Sequence, residues 1–196
     1  MKATRTYTMG SRADAVVATR DRIAHAAKDL FLERAYDDVT LADIAKGAGV
    51  SHQTVLNYFE SKEGVVRGVA ELMKGETTSA RYDAQPGDVP GAVQALVGEY
   101  ERMGDANFRW TATERLPTLV EILDDARRTH QEWIVDLFGD RLPATPAARR
   151  RAVHALPAAT DVYVWKLLRR DLGLSRTETE KTMADLVVGV LEGTTR

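Results

Sequence analysis

Along most of the chain, apolar residues return every three or four positions. That is the repeat of a helix burying one face, and no segment alternates like a half-buried strand. Ile23, Ala27, Leu30 and Phe31 make the first stripe, and Leu41, Ile44, Ala45 and Ala48 the second. Thr40 stands where the second helix needs an N-cap, with Asp43 in its first turn. Gly47-Ala48-Gly49-Val50 ends that helix, and Ser51 starts a short third one that carries Val55 and Phe59 inward. Ser61 caps a longer fourth helix through Val65, Val69, Leu72 and Met73, made less stiff by Gly64, Gly68 and Gly75. The stretch from Arg81 to Gly91 is turn-rich. Beyond it the periodicity predicts helices over about 91–105, 107–115, 118–139, 147–171 and 175–192. Pro117 suits a first helical turn, Pro143 and Pro146 mark a connection, and Pro157 is expected to kink its helix.

Composition narrows the classes. The 196 residues, 44% hydrophobic and 29% charged, suffice for one or two domains with a sizeable core. With no cysteine there are no disulfides and no thiolate metal sites. His25, His52, His130 and His154 have no metal-ligand spacing, so neither metal nor cofactor is expected. No apolar run approaches the ~18 residues of a membrane span, and Met1–Tyr7 lacks the apolar centre of a secretory signal. A cytoplasmic protein with no membrane partner is expected. Net charge is −2, but residues 1–30 carry six basic groups against three acidic ones, a basic head on an acidic body. The chain has no G-x-S-x-G elbow, H-E-x-x-H, phosphate loop or dinucleotide fingerprint, so catalysis is not expected.

The informative region is Leu41–Phe59. A short helix, a glycine turn and a second short helix with a polar N-terminal half make the layout of a helix-turn-helix. Ala45 allows close approach of the helices, Gly49 tolerates positive φ, and Val50 plugs the angle. With Val55 and Phe59 facing the core, His52, Gln53 and Asn57 face away, placed for base edges in a major groove. Thr54 suits a thymine methyl or a phosphate, and Tyr58 and Lys62 suit the sugar–phosphate backbone. The same spacing also fits a structural hairpin with a solvated face.

Ile23–Val66 resembles the DNA-binding domain of the TetR (tetracycline-repressor-like) transcriptional regulators. The matching residues are Ile23-Ala24-His25-Ala26-Ala27, Leu30-Phe31, Tyr36, Val39 to Ala45, Ala48 to Ser51, Thr54-Val55, Tyr58-Phe59 and Ser61-Lys62-Glu63. The resemblance implies an all-α fold of about nine helices: an N-terminal three-helix helix-turn-helix domain and a C-terminal helical ligand-binding and dimerisation domain. Accordingly, residues 1–15 are expected to form a flexible tail, 16–66 the DNA-binding domain, and 67–196 the effector and dimerisation domain. It also implies a homodimer on a palindromic double-stranded DNA operator, most often a repressor, switched by a small-molecule effector. By matching position, Thr40, Ser51, Gln53, Thr54, Asn57, Tyr58 and Lys62 become DNA contacts. The chain departs from the family pattern at Leu56, where an aromatic is usual, at Tyr58, where histidine is common, and at Ala35, where glycine is usual. Arg5 and Arg12 precede the first helix and suit either a minor-groove arm or a plain tail.

The C-terminal part matches the family in length and helix content only. Val153, Leu156, Val164, Leu167 and Leu168, and then Met183, Leu186, Val187, Val190 and Leu191, form two stripes that serve either the protomer's core or a second copy. The resemblance favours the second copy, with Val164, Leu168, Met183, Leu186, Val187 and Val190 in the interface. Aromatic and polar residues gather between: Tyr100, Met103, Phe108, Trp110, Glu114, His130, Trp133 and Tyr163 are the candidate ligand-binding residues, or else core. An effector-independent dimeric DNA binder and a helical enzyme are the alternatives.

Overall fold

The computed structural model describes residues 9–81, 84–111 and 116–193, and these fold as nine α-helices joined by turns, with no strand. They fall into two units, Met1–Leu72 and Met73–Arg196.

The first unit holds α1 (Met9–Glu33), α2 (Leu41–Ala48), α3 (His52–Phe59) and the beginning of α4 (Lys62–Arg81). Its core is made by the expected stripes: Ile23, Ala27 and Phe31 of α1, Ile44, Ala45 and Ala48 of α2, Val55 and Phe59 of α3, and Val65, Val66 and Val69 of α4. Each larger aliphatic or phenyl group taken out of water contributes about 1.5–3 kcal/mol before entropy is counted. α1 begins at Met9, so residues 9–15 are helical rather than a flexible tail. Gly10 and Ser11 sit in the first turn, where poor helix formers cost least, and no proline interrupts the segment. Arg5 and the Arg12 side chain lie outside the described residues. Ala35 takes φ −64°, ψ 155°, an extended conformation open to any residue, so the missing glycine strains nothing there.

The glycines of α4 serve packing as well as pliancy. A Cβ on Gly64 would fall 1.9 Å from the Phe59 carbonyl oxygen, and one on Gly68 2.5 Å from the Phe59 ring. Only at Gly75 is there open space.

The second unit holds the end of α4, then α5 (Val89–Thr111), α6 (Pro117–Phe138), α7 (Pro146–Ala159), α8 (Val162–Lys166) and α9 (Arg176–Gly193). Val93, Leu96 and Val97 of α5, Ile134 and Phe138 of α6, Leu156 of α7, Trp165 of α8 and Met183 and Val187 of α9 share one core. Where two helices were expected over 91–115, α5 runs unbroken to Thr111, because the buried positions Leu96, Tyr100, Met103, Ala106 and Trp110 continue one face. The expected single helix over 147–171 is instead two. Pro157 stands near the end of α7, Thr160 closes it, and the Asp161 carboxylate accepts the Tyr163 N–H to start α8. α8 then widens into a π-helical turn, Leu167–Asp171, from which the neighbouring Arg169 and Arg170 both reach α5, pairing with Glu101 at 2.6 Å and Asp105 at 3.0 Å.

The two C-terminal stripes are used mostly within the chain itself rather than offered to a second copy. Met183 and Val187 are fully buried and Leu168 nearly so, all in the protomer's own core, so they have no surface left for a second copy. Val164 and Val190 pack partly against that core. Leu186 alone of the six expected interface residues is exposed, at 44%; Tyr163 of α8, Leu167 of the π-helical turn and Leu172 just after it are exposed as well.

Gly64→Ala is expected to lower stability by at least about 2 kcal/mol, since the clash is with backbone. Gly75→Ala should raise it by up to about 1 kcal/mol through helix propensity. Urea denaturation of both variants checks this; equal effects would contradict the packing role.

Candidate nucleic-acid interface and a buried polar cluster

The local chemistry of the N-terminal unit sets α3 in place. Thr40 and Asp43 form a capping box at α2: the Asp43 N–H donates to Thr40 Oγ1 at 3.1 Å, and the Thr40 N–H donates to the Asp43 carboxylate at 3.0 Å. These bonds, with Arg34 at 3.2 Å, hold the Asp43 carboxyl below the usual carboxylate range. Gly49 closes α2 at φ 65°, ψ 36°, the left-handed conformation, and the Val50 N–H returns to the Ala45 carbonyl at 3.0 Å. Arg22 of α1 donates from Nε to the Ala48 carbonyl at 3.0 Å, covering an otherwise unpaired C-terminal oxygen of α2. Ser51 caps α3, its Oγ accepting from the Thr54 N–H at 3.0 Å.

With Val55 and Phe59 buried beneath α3, Ser51, His52, Gln53 and Asn57 are exposed, and Thr54 and Tyr58 half-buried. Gln53 Nε2 donates to Asn57 Oδ1 at 3.0 Å, so the two amides present one joined polar edge. Thr40 is exposed at the start of α2. Lys62 is engaged elsewhere: its ammonium donates to the Tyr36 carbonyl and lies 3.9 Å from the Tyr36 ring centre. Burial pulls the Lys62 pKa down. Tyr36 in turn donates to Glu63 at 3.2 Å, and burial beside that carboxylate pushes its phenol up to about 12. Lys62 is thus tied to the turn after α1, a role its spacing did not disclose. Arg22 and Arg34 were likewise missed, because their partners lie on other elements.

The second unit encloses a polar cluster. Arg81, Glu99, His130 and Thr160 are each nine-tenths or more buried. Arg81 donates from Nε to one Glu99 oxygen at 2.9 Å and from Nη2 to the other at 3.2 Å. It also donates from Nη1 to His130 Nδ1 at 3.2 Å. His130 therefore carries its proton on Nε2, which donates to Thr160 Oγ1 at 2.9 Å, and Thr160 passes its own proton to the Leu156 carbonyl at 2.8 Å. Tyr100 donates to the Thr160 carbonyl at 3.0 Å, and Arg81 lies 5.1 Å from the Trp133 ring centre. Burial first, then the Arg81 charge, pushes His130 down to about 3.

Of the expected ligand residues, Tyr100, His130 and Trp133 meet at this cluster. Phe108 and Tyr163 form a separate edge-to-face pair at 5.5 Å, with Tyr163 half-exposed. Met103 and Trp110 are buried along α5, and Glu114 lies outside the described residues. Sequence reading missed Arg81, Glu99 and Thr160; an ion pair formed across 18 positions leaves no local pattern. Among the described residues, no group of three or more His, Cys, Asp or Glu is placed to hold a metal ion, and no helix is long and apolar enough to cross a membrane.

Because His130 takes up a proton only when unfolded as pH falls from about 6.5 towards about 3, its contribution to stability is present above that window and lost within it. Between pH 6.5 and 5 wild-type stability is expected to fall by up to ~1.4 kcal/mol per unit from this group. Urea midpoints of His130→Gln should show a flatter limb there; an unchanged slope would contradict a neutral His130.

Residues 23–69 match the family model described as bacterial regulatory proteins, tetR family. A curated relative, the HTH-type transcriptional regulator AlkX of Mycobacterium tuberculosis, is 27% identical over 147 residues, 74% of this chain; the match spans 64% of that relative's length. The fold is that of a tetR-family transcriptional regulator from Streptomyces coelicolor, with TM-score 0.75 and 17% identity over 90% of this chain and 82% of that one. It is likewise that of a transcriptional regulator from Rhodococcus sp. Rha1, with TM-score 0.73 and 18% identity over 89% and 96%. The segment that the family model covers is the one that builds and seats the α2–turn–α3 hairpin, so over residues 23–69 the chain carries a domain of the kind found at the N-terminus of tetR-family bacterial regulatory proteins.

Proposed function

We propose that the protein is a cytoplasmic, sequence-specific DNA-binding transcriptional repressor. It acts as a homodimer on a palindromic operator and is released or recruited by a small molecule held in the second unit. The observation that carries this reading is α3: apolar side chains seat its underside, and Ser51, His52, Gln53 and Asn57 stand exposed on its other face. Gln53 and Asn57 match the donor and acceptor pattern of adenine in a major groove, and Thr40, Ser51, Thr54 and Tyr58 stand where hydroxyls position phosphates. Lys62 supports this surface by bracing Tyr36, and its ammonium adds positive charge beside it.

The second copy is expected to pair through exposed apolar residues of α8, the turn after it and α9, namely Tyr163, Leu167, Leu172 and Leu186. The effector reading is supported by the Arg81–Glu99–His130–Thr160 cluster, a set of convergent polar groups inside an otherwise apolar core.

Footprinting on the DNA upstream of the gene, with a salt titration, tests the reading. Protection of two half-sites about one helical turn or more apart, with affinity falling steeply as salt rises, is the expected result. Binding indifferent to salt and sequence would overturn it. Gln53→Ala and Asn57→Ala should each relax base preference at one half-site position by ~1–3 kcal/mol. Because the two amides are bonded to each other, the double variant should lose less than the sum of the two single losses.

A further inference from the structure

Another surface of the second unit shares no residue with the buried cluster. A hollow of about 410 Å³ is lined by Gly91, Gln94, Ala95 and Gly98 of α5, by Arg102 one turn further on, and by Arg176 at the start of α9. Two guanidiniums from different helices converge over its glycine floor. A Cβ built on Gly98 would lie 3.5 Å from Arg176 Nη2 and 4.0 Å from Arg102 Nη1.

Like charges brought this close repel, and the three other arginines that pair onto α5 are each met by a carboxylate. Glu99 meets Arg81, Glu101 meets Arg169 and Asp105 meets Arg170. In the hollow Arg176 has Glu180 at 2.8 Å on its own helix, whereas Arg102 is paired with no carboxylate among the described residues. Arg102 thus keeps an unmatched positive charge beside Gly98, where the wall of the hollow carries no side chain. The nearest carboxylate on the N-terminal side of Gly98 that touches the lining is Asp88, which accepts the Gly91 N–H two turns away.

We propose that this hollow is a binding site for the oxyanion of a small molecule, a carboxylate or a phosphate monoester, seated over Gly98 and bridged by Arg102 and Arg176. The missing Cβ leaves the oxygen room against the α5 backbone. Arginine side chains have the freedom to bring both guanidiniums to charge-assisted hydrogen-bond distance of an oxygen resting there. The Gln94 amide, on the wall of the hollow, offers a further donor. The site is open to water, so its affinity rests on these charge-assisted bonds and weakens with salt. This assignment stands whether or not the chain proves to be ligand-switched on DNA.

Calorimetric titration of the full chain with inorganic phosphate and, separately, with succinate at low ionic strength tests it. Saturable binding of one anion per chain is expected for at least one probe; phosphate alone would assign a phosphate monoester, and succinate alone a carboxylate. Arg102→Gln should weaken binding about tenfold, the loss of one charge-assisted bond. Gly98→Ala is the sharper variant. Its methyl would meet its neighbours at ordinary contact distances, so the fold survives, yet it occupies the oxygen's seat and should abolish binding. Arg149→Gln, at an exposed arginine of α7, should bind as the wild type does. Absence of saturation with either probe, or unchanged binding in both Arg102→Gln and Gly98→Ala, would overturn the proposal.

Discussion

Phe59 is the joint of the N-terminal unit. Its ring lies against Gly68 of α4 and beneath the Arg20 guanidinium, 5.3 Å away, and its carbonyl oxygen presses on Gly64. Between these contacts the chain turns through Glu60 at φ 64°, a conformation that L residues seldom adopt and that the surrounding packing must enforce. With Phe59 seated and Val55 buried one turn earlier, α3 has a single rotation about its own axis, and its polar side has nowhere to go but outward. The exposure of Gln53 and Asn57 is therefore a consequence of hydrophobic burial on the opposite side of an eight-residue helix. An isolated helix of that length is marginal in water, so this packing, together with the Ser51 cap, is what keeps it formed.

The second unit applies a different constraint. Its core buries an arginine and a glutamate, which water would otherwise stabilise, and recovers the loss through a bidentate pair, a neutral histidine and a threonine acting as both donor and acceptor. Such a group contributes little net stability but tolerates few alternative arrangements, because removing one member strands a buried charge. It joins the end of α4 to α5, α6 and the end of α7 at one point. On the surface the π-helical turn after α8 does similar work with paired charges, fastening Arg169 and Arg170 to two carboxylates one turn apart on α5.

How much of this was legible in the sequence depended on the range of the interaction. The capping box at Thr40, the left-handed Gly49, the Ser51 cap and the inward pair Val55 and Phe59 all lie within a few residues of their partners, and the linear pattern shows them. The break after Pro157 was read as a kink because periodicity continues on both sides; the stop comes from Thr160 and Asp161, whose side chains cap rather than pack. Met183 and Val187 illustrate the opposite failure. Their stripe was plain, but a stripe says only that something covers it, and here it is the protomer's own α5 and α7. The Arg81–Glu99–His130 cluster joins residues from three helices and has no signature in any one of them. The bond from Lys62 to the Tyr36 carbonyl is hidden for the same reason, since the two lie 26 positions apart.

DNA binding as proposed requires that the outward side of α3 be the surface that meets the duplex. Photo-crosslinking from a probe placed singly at Gln53, at Asn57 and, as a control, at the exposed Lys46 of α2 measures this most directly. Base-specific crosslinks to a footprinted duplex from positions 53 and 57, far exceeding those from 46, are the predicted result. Crosslinks from 46 with none from 53 or 57 would contradict it.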